Sequence, residues 1–136
     1  MFLIGFPLLI VPLAIYNMIA FLTPGVKWDD RLSSVRMVSG AEWTMTFGDV
    51  LIAMALFLLF VEILKATRTG NKSIVDHILS TIVFVAALVE FLLVPQAASS
   101  AFAILVLICL VDVIGGYSIS IRTAQRDFSV ERAEVL

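Results

Sequence analysis

The chain has 136 residues, 61% of them hydrophobic and only 15% charged, with a mean hydropathy of +1.08. A soluble domain carries about 25% charged and about 45–50% apolar residues. So much apolar surface on so short a chain cannot be hidden inside a water-soluble globule, which leaves an integral membrane protein. The net charge of −2 says little by itself, because the charges of such a protein sit in loops and are read side by side. The single cysteine, Cys109, lies within an apolar block, so no internal disulfide is available and redox compartment cannot be read from it.

Four apolar blocks, at residues 3–22, 47–64, 74–94 and 100–121, each approach the roughly 20 residues needed to cross a ~30 Å hydrocarbon core. Backbone polar groups in lipid are satisfied only in helices or closed barrels, and these runs lack the in/out alternation of a barrel strand. The expected architecture is an all-α membrane protein, a four-transmembrane-helix bundle occupying residues 1–136 as a single integral membrane domain.

The first block looks superficially like a signal peptide. It has no basic leader and no small-x-small cleavage site, and its apolar run is longer than the 7–15 residues of such segments, so it is expected to stay as a membrane helix. Pro7 and Pro12 each remove a donor and free a carbonyl one turn earlier, on Leu3 and Leu8. That predicts a kinked helix packed against protein on that side.

The loop at 23–46 opens with Thr23-Pro24-Gly25, which stops the helix. Val35, Met37, Ala41, Trp43 and Met45 then alternate about Ser39-Gly40, which predicts a short extracytoplasmic β-hairpin between helices one and two. An interfacial helix over 30–38 is the alternative. The connection at 95–99 is short and uncharged, making helices three and four an antiparallel pair. The mixed-sign tail at 122–136 reads as a fraying extension of helix four, with Arg122 and Arg126 at anionic headgroups.

Lys65, Arg68, Lys72, Arg122, Arg126 and Arg132 fall on one side, and Lys27, Arg31 and Arg36 on the other. This asymmetry places both termini in the cytoplasm, with Trp28, Trp43 and Tyr16 at the outer interface and Tyr117 near the inner one.

Three acids, Glu62, Glu90 and Asp112, lie inside the blocks. An acid at a helix centre costs roughly 2.5–3.5 kcal/mol, outweighed here by the surrounding Leu, Ile, Phe and Val, so each should face protein or water. At 1.5 Å per residue, Asp112 falls near the midplane, Glu90 about 9 Å toward the outer face and Glu62 about 9 Å toward the inner one. Lys65, one turn beyond Glu62, is the only nearby cation, so the acids are not expected to be salt-bridged.

Helical spacing puts Cys109, Gly115, Gly116 and Ser120 on the Asp112 face, Ala86 and Ala87 beside Glu90, and Ala55 and Gly48 on the Glu62 face. Such small-residue stripes permit close helix packing, and Gly115, Gly116 and Ser120 are the candidate packing face. Depth matching pairs Asn17 with Glu90, pairs Tyr117 and His77 with Glu62, and sets Asp112 near the freed carbonyl of Leu8.

Two readings of the acids stand side by side. They can be interhelical hydrogen bonds, each worth about 0.6 kcal/mol and up to about 1.7 kcal/mol. Alternatively they form part of a proton or cation path, although steps of about 9 Å in depth require waters or a second copy. His77 with Asp76 is read as structural, since adjacent helix positions do not face each other as a catalytic pair does. The chain has no Cys/His cluster, P-loop, GxGxxG or HExxH, so no catalytic residue, metal or cofactor is expected. A lipid- or quinone-active enzyme is the least favoured class.

The stretch LLFVEILKATRTGNKSIVDHILSTIVFVAALVEFLLVP, followed by LVDVIGGYSISI, resembles a group of small uncharacterised four-helix inner-membrane proteins of proteobacteria. The resemblance covers residues 40–128 and includes Glu62, Lys65, Arg68, Thr69, Asp76, His77, Glu90, Pro95 and Asp112. It implies a bacterial cytoplasmic (inner) membrane and brings no activity, ligand or catalytic residue. The polar signatures of four-helix glutathione-utilising enzymes and of fluoride channels are absent. The expectation is a non-enzymatic structural or accessory subunit, a homo-oligomer or part of a larger membrane complex. Its partners would be lipids, itself or another membrane protein, with no nucleic acid.

Overall fold

Lipid-exposed helices hide little from their solvent, so the side chains that are hidden mark the contacts that organise the fold. The computed structural model describes residues 6–67 and 71–135. In chain order the elements are α1 (Ile10–Leu22), β1 (Arg31–Arg36), β2 (Glu42–Thr46), α2 (Phe47–Ala66), α3 (Asn71–Leu93) and α4 (Ser100–Val135). A single 3-10 turn, Pro95–Ala97, joins α3 to α4.

Among the described residues, three helical stretches are long and apolar enough to cross a membrane: Phe47–Ala66, Ile74–Leu93 and Ser100–Arg122. Of these, 28%, 22% and 39% respectively is buried within the chain, so α4 is the enclosed axis on which α2 and α3 pack. The outward positions carry Phe57, Phe60, Ile82, Leu92, Leu107 and Ile114, all exposed as lipid-facing side chains would be. α4 continues without a break to Val135, so the expected fraying tail is helical.

The first apolar block departs from expectation. Its helix covers only Ile10–Leu22, 13 residues or about 20 Å, short of a ~30 Å core. The prolines explain this late start. Pro12 sits in the first turn of α1, where a missing N–H costs nothing. Residues 7–9 form a turn closed by Ile10 N–H to the Pro7 carbonyl at 3.1 Å and Val11 N–H to the Leu8 carbonyl at 3.0 Å. The Leu8 carbonyl is thus not left without a donor, as it was expected to be, and Leu3 lies outside the described residues.

The hairpin is present, and the interfacial helix over 30–38 is not. β1 and β2 pair antiparallel, with Val35 opposite Trp43 and Arg36 opposite Glu42, and a register irregularity between Arg31 and Ser33. Gly40 turns the chain at φ +90°, which a residue with a Cβ rarely adopts. Met37 N–H then donates to the Ala41 carbonyl at 2.8 Å.

β2 runs directly into α2. Thr46 Oγ1 accepts from Asp49 N–H at 3.2 Å, and the Asp49 carboxylate accepts from Thr46 N–H at 3.0 Å. This reciprocal cap satisfies two donors that a helix start leaves unpaired. Gly48 brings α2 against the loop: its N–H reaches the Trp28 carbonyl at 2.9 Å, and an added Cβ would lie 3.1 Å from that oxygen.

The half of the bundle nearest the hairpin is filled by Tyr16, Phe102, Leu105, Leu51 and Ala55, all buried. Tyr16 stacks on Trp28 with ring centroids 4.5 Å apart and meets Phe102 edge-on at 4.8 Å. Its hydroxyl donates to the Gln96 carbonyl at 2.9 Å and shares a 2.7 Å hydrogen bond with Ser99 Oγ. One buried tyrosine thus holds α1 onto the α3–α4 connection.

A buried ionisable cluster as candidate functional site

The opposite half of the bundle is filled differently. Glu62 and Lys65 from α2, Asp76, His77 and Ser80 from α3, and Asp112 from α4 are all buried, between 4% and 9% exposed. Helical spacing makes this possible: Glu62 and Lys65 stand three apart, and Asp76 and Ser80 four apart, so each pair shares a face.

Lys65 is the node. Its ammonium donates to Glu62 Oε1 at 2.9 Å, to Asp76 Oδ1 at 3.4 Å and to the Phe6 carbonyl at 2.7 Å. Glu62 Oε1 also accepts from the Leu8 N–H at 2.9 Å. The expectation that Glu62 lacks a salt bridge is therefore wrong, because one turn of helix lets a lysine fold back onto a buried carboxylate.

These contacts solve a backbone problem. Residues 6–9, ahead of α1, are not helical, and irregular backbone at membrane depth must find partners within protein. Phe6 C=O and Leu8 N–H find them in Lys65 and Glu62. The ionisable pair therefore anchors the proline-interrupted segment to α2, and through Asp76 to α3.

Asp112 projects into the same region, where its neighbour is the Ser80 side chain and not the Leu8 carbonyl expected from depth. His77 Nε2 hydrogen-bonds Ser120 Oγ, and that hydroxyl also donates to the Ala66 carbonyl at 3.1 Å, satisfying an acceptor in the last turn of α2. Gly116 makes room for the imidazole: an added Cβ would stand 3.0 Å from two ring atoms of His77.

Tyr117 is not a partner of Glu62. Its ring lies 5.2 Å from that of His77, and its hydroxyl is 3.2 Å from Thr81 Oγ1. Of the candidate packing residues, Gly116 and Ser120 meet α3 and α2, whereas Gly115 has nothing within 4 Å of a built Cβ. Glu90 is separate from the cluster, nearer the hairpin, where Asn17 Nδ2 donates to its Oε1 at 3.2 Å. Asn17 also donates to its own helix at the Leu13 carbonyl, 3.0 Å away.

Sequence reasoning missed Lys65 and Asp76 as members of the site. The signal for the first was the i, i+3 spacing from Glu62. Asp76 was visible only as a neighbour of His77, and its pairing with Lys65 spans two helices. Chemically, the cluster sets three carboxyl groups against one ammonium and one imidazole in water-poor surroundings. It can clamp helices and hold exchangeable protons. Among the described residues, no group of three or more His, Cys, Asp and Glu is placed to hold a metal ion.

Apolar helices of spanning length with an ionisable core at one end define a helical membrane protein. In comparisons with protein-family models, curated proteins and solved structures, the chain matches none.

Proposed function

We propose that the protein is a multi-pass subunit of a bacterial inner membrane, non-enzymatic, and acting as a homo-oligomer or as an accessory component of a larger membrane complex. In this reading both termini are cytoplasmic, and residues 6–9 together with α1 complete a fourth crossing. The observation that carries it is the Lys65 node, whose ammonium meets three acceptors of its own chain. The charges at the heart of the cluster thus hold together the helices that bear them. The outward faces are left apolar and free for lateral contact.

The test is extraction in mild detergent, with measurement of oligomeric state and identification of any copurifying chain. A monodisperse monomer with no companion protein would overturn the proposal.

One observation favours a second reading, a proton or cation carrier. Three carboxyl groups, Glu62, Asp76 and Asp112, surround a single ammonium, so the cluster has acid in excess of base. On that reading Asp112→Asn abolishes proton or cation flux in liposomes while assembly stays intact. Under the accessory-subunit reading, the amide leaves no transport defect.

A further inference from the structure

Away from the ionisable cluster, a cleft of about 350 Å³ lies between α1 and α3. Leu13, Ala14, Ile82 and Ala86 wall it, and Asn17 and Glu90 supply its polar end. Between Ile82 and Glu90 it follows α3 for roughly 12 Å at 1.5 Å per residue. Glu90 stands one turn inside the end of α3 at Leu93, toward the hairpin side.

Among the described residues, the Asn17 amide is the side chain that donates to the Glu90 carboxyl, and it engages one of the two oxygens. The salt bridges among the described residues lie in the cluster, not here. A carboxylate at the mouth of an apolar groove, with no cation of its own, selects for a ligand bearing one.

We propose that this cleft is a lipid site, seating one acyl chain and offering Glu90 to a primary ammonium headgroup such as that of phosphatidylethanolamine. A second copy of the chain fits the charge less well. Its cations on that side, Lys27, Arg31 and Arg36, stand in the hairpin loop beyond the helix ends, and the others belong to the cluster, the α2–α3 connection, the first turn of α3 and the far part of α4. Phosphatidylglycerol presents hydroxyls on an anionic headgroup, which Glu90 repels. Phosphatidylcholine presents a cation without an N–H to donate. This inference does not depend on the role proposed above.

The experiment is native mass spectrometry of the full chain, delipidated in detergent and titrated with phosphatidylethanolamine, phosphatidylcholine and phosphatidylglycerol of identical acyl chains. Wild type is expected to retain one phosphatidylethanolamine per chain, preferred about tenfold over the other two. That ratio corresponds to about 1.4 kcal/mol, just below the range for a hydrogen bond to a charged group. Glu90→Gln should bring the three lipids level. Ala86→Phe fills the cleft without touching the carboxylate and should abolish retention of all three, with circular dichroism checking the fold of both variants.

Equal retention of the three lipids by wild type would overturn the proposal. So would a phosphatidylethanolamine preference that survives Glu90→Gln, or a second protein chain held in place of lipid. If Glu90→Gln does not fold, wild-type selectivity together with Ala86→Phe decides the matter.

Discussion

Replacing Lys65 by methionine keeps an unbranched side chain one atom shorter and removes its charge, leaving Glu62 and Asp76 buried at 4% and 5% exposure with no ammonium between them. At separations of 2.9 Å and 3.4 Å the two attractions amount to about 6 and about 5 kcal/mol at an effective dielectric near 20. Most of that offsets the desolvation of the three groups, so the gross figure overstates the loss. Removing one partner of a buried pair typically costs about 3–5 kcal/mol, since the remaining charge is stranded. The Phe6 carbonyl also loses its donor, which adds to the penalty.

We expect Lys65→Met to destabilise the protein by about 3–5 kcal/mol. Lys65→Met should cost at least about 1 kcal/mol less in a Glu62→Gln, Asp76→Asn background, where no carboxylate is left uncompensated. The assay is equilibrium unfolding in mixed micelles, completed as a double-mutant cycle. A reporter for the anchored segment is Phe6→Cys in a Cys109→Ala background, whose maleimide labelling should accelerate when Lys65 is replaced. A loss below about 1 kcal/mol with unchanged labelling would refute the account of the cluster as the anchor of the first segment, because it would match a solvated surface pair.

The two glycines of α4 should behave oppositely. Gly116→Ala drives a methyl against the His77 ring at 3.0 Å and should cost about 1–3 kcal/mol in detergent unfolding. Gly115→Ala meets nothing within 4 Å and should gain up to about 1 kcal/mol from helix propensity, unless assembly buries that face, in which case native gels will show lost oligomer. Tyr16→Phe removes the hydroxyl held by Gln96 and Ser99 and should cost about 1–3 kcal/mol, with faster hydrogen exchange in the 95–99 connection. Thr46→Ala deletes one arm of the cap on α2 and should cost about 1 kcal/mol, read from the same unfolding curves.

Much of the local structure was legible before any coordinates. The hairpin follows from alternation about Ser39-Gly40, because period-two patterning and a glycine able to adopt positive φ are both local properties. Asn17 and Glu90 meet because depth along two helices is set by a rise of 1.5 Å per residue. The same arithmetic failed for Tyr117 and Asp112. Depth says at what level a side chain lies, but the rotation of a helix about its axis says what it faces. Helices apolar nearly all round give little hint of that rotation.

By itself, then, the sequence determined that this is a chain of membrane helices, since 61% apolar residues leave no water-soluble solution, and it determined where most of those helices run. Only the tertiary structure decided that Lys65 binds Asp76 across α2 and α3, that Ser80 faces Asp112, and that the first block is helical only from Ile10 among the described residues. The reason is physical. Hydrophobicity and backbone periodicity are written residue by residue, whereas satisfying a charge or an irregular carbonyl in lipid depends on partners far apart in the chain that packing alone brings together.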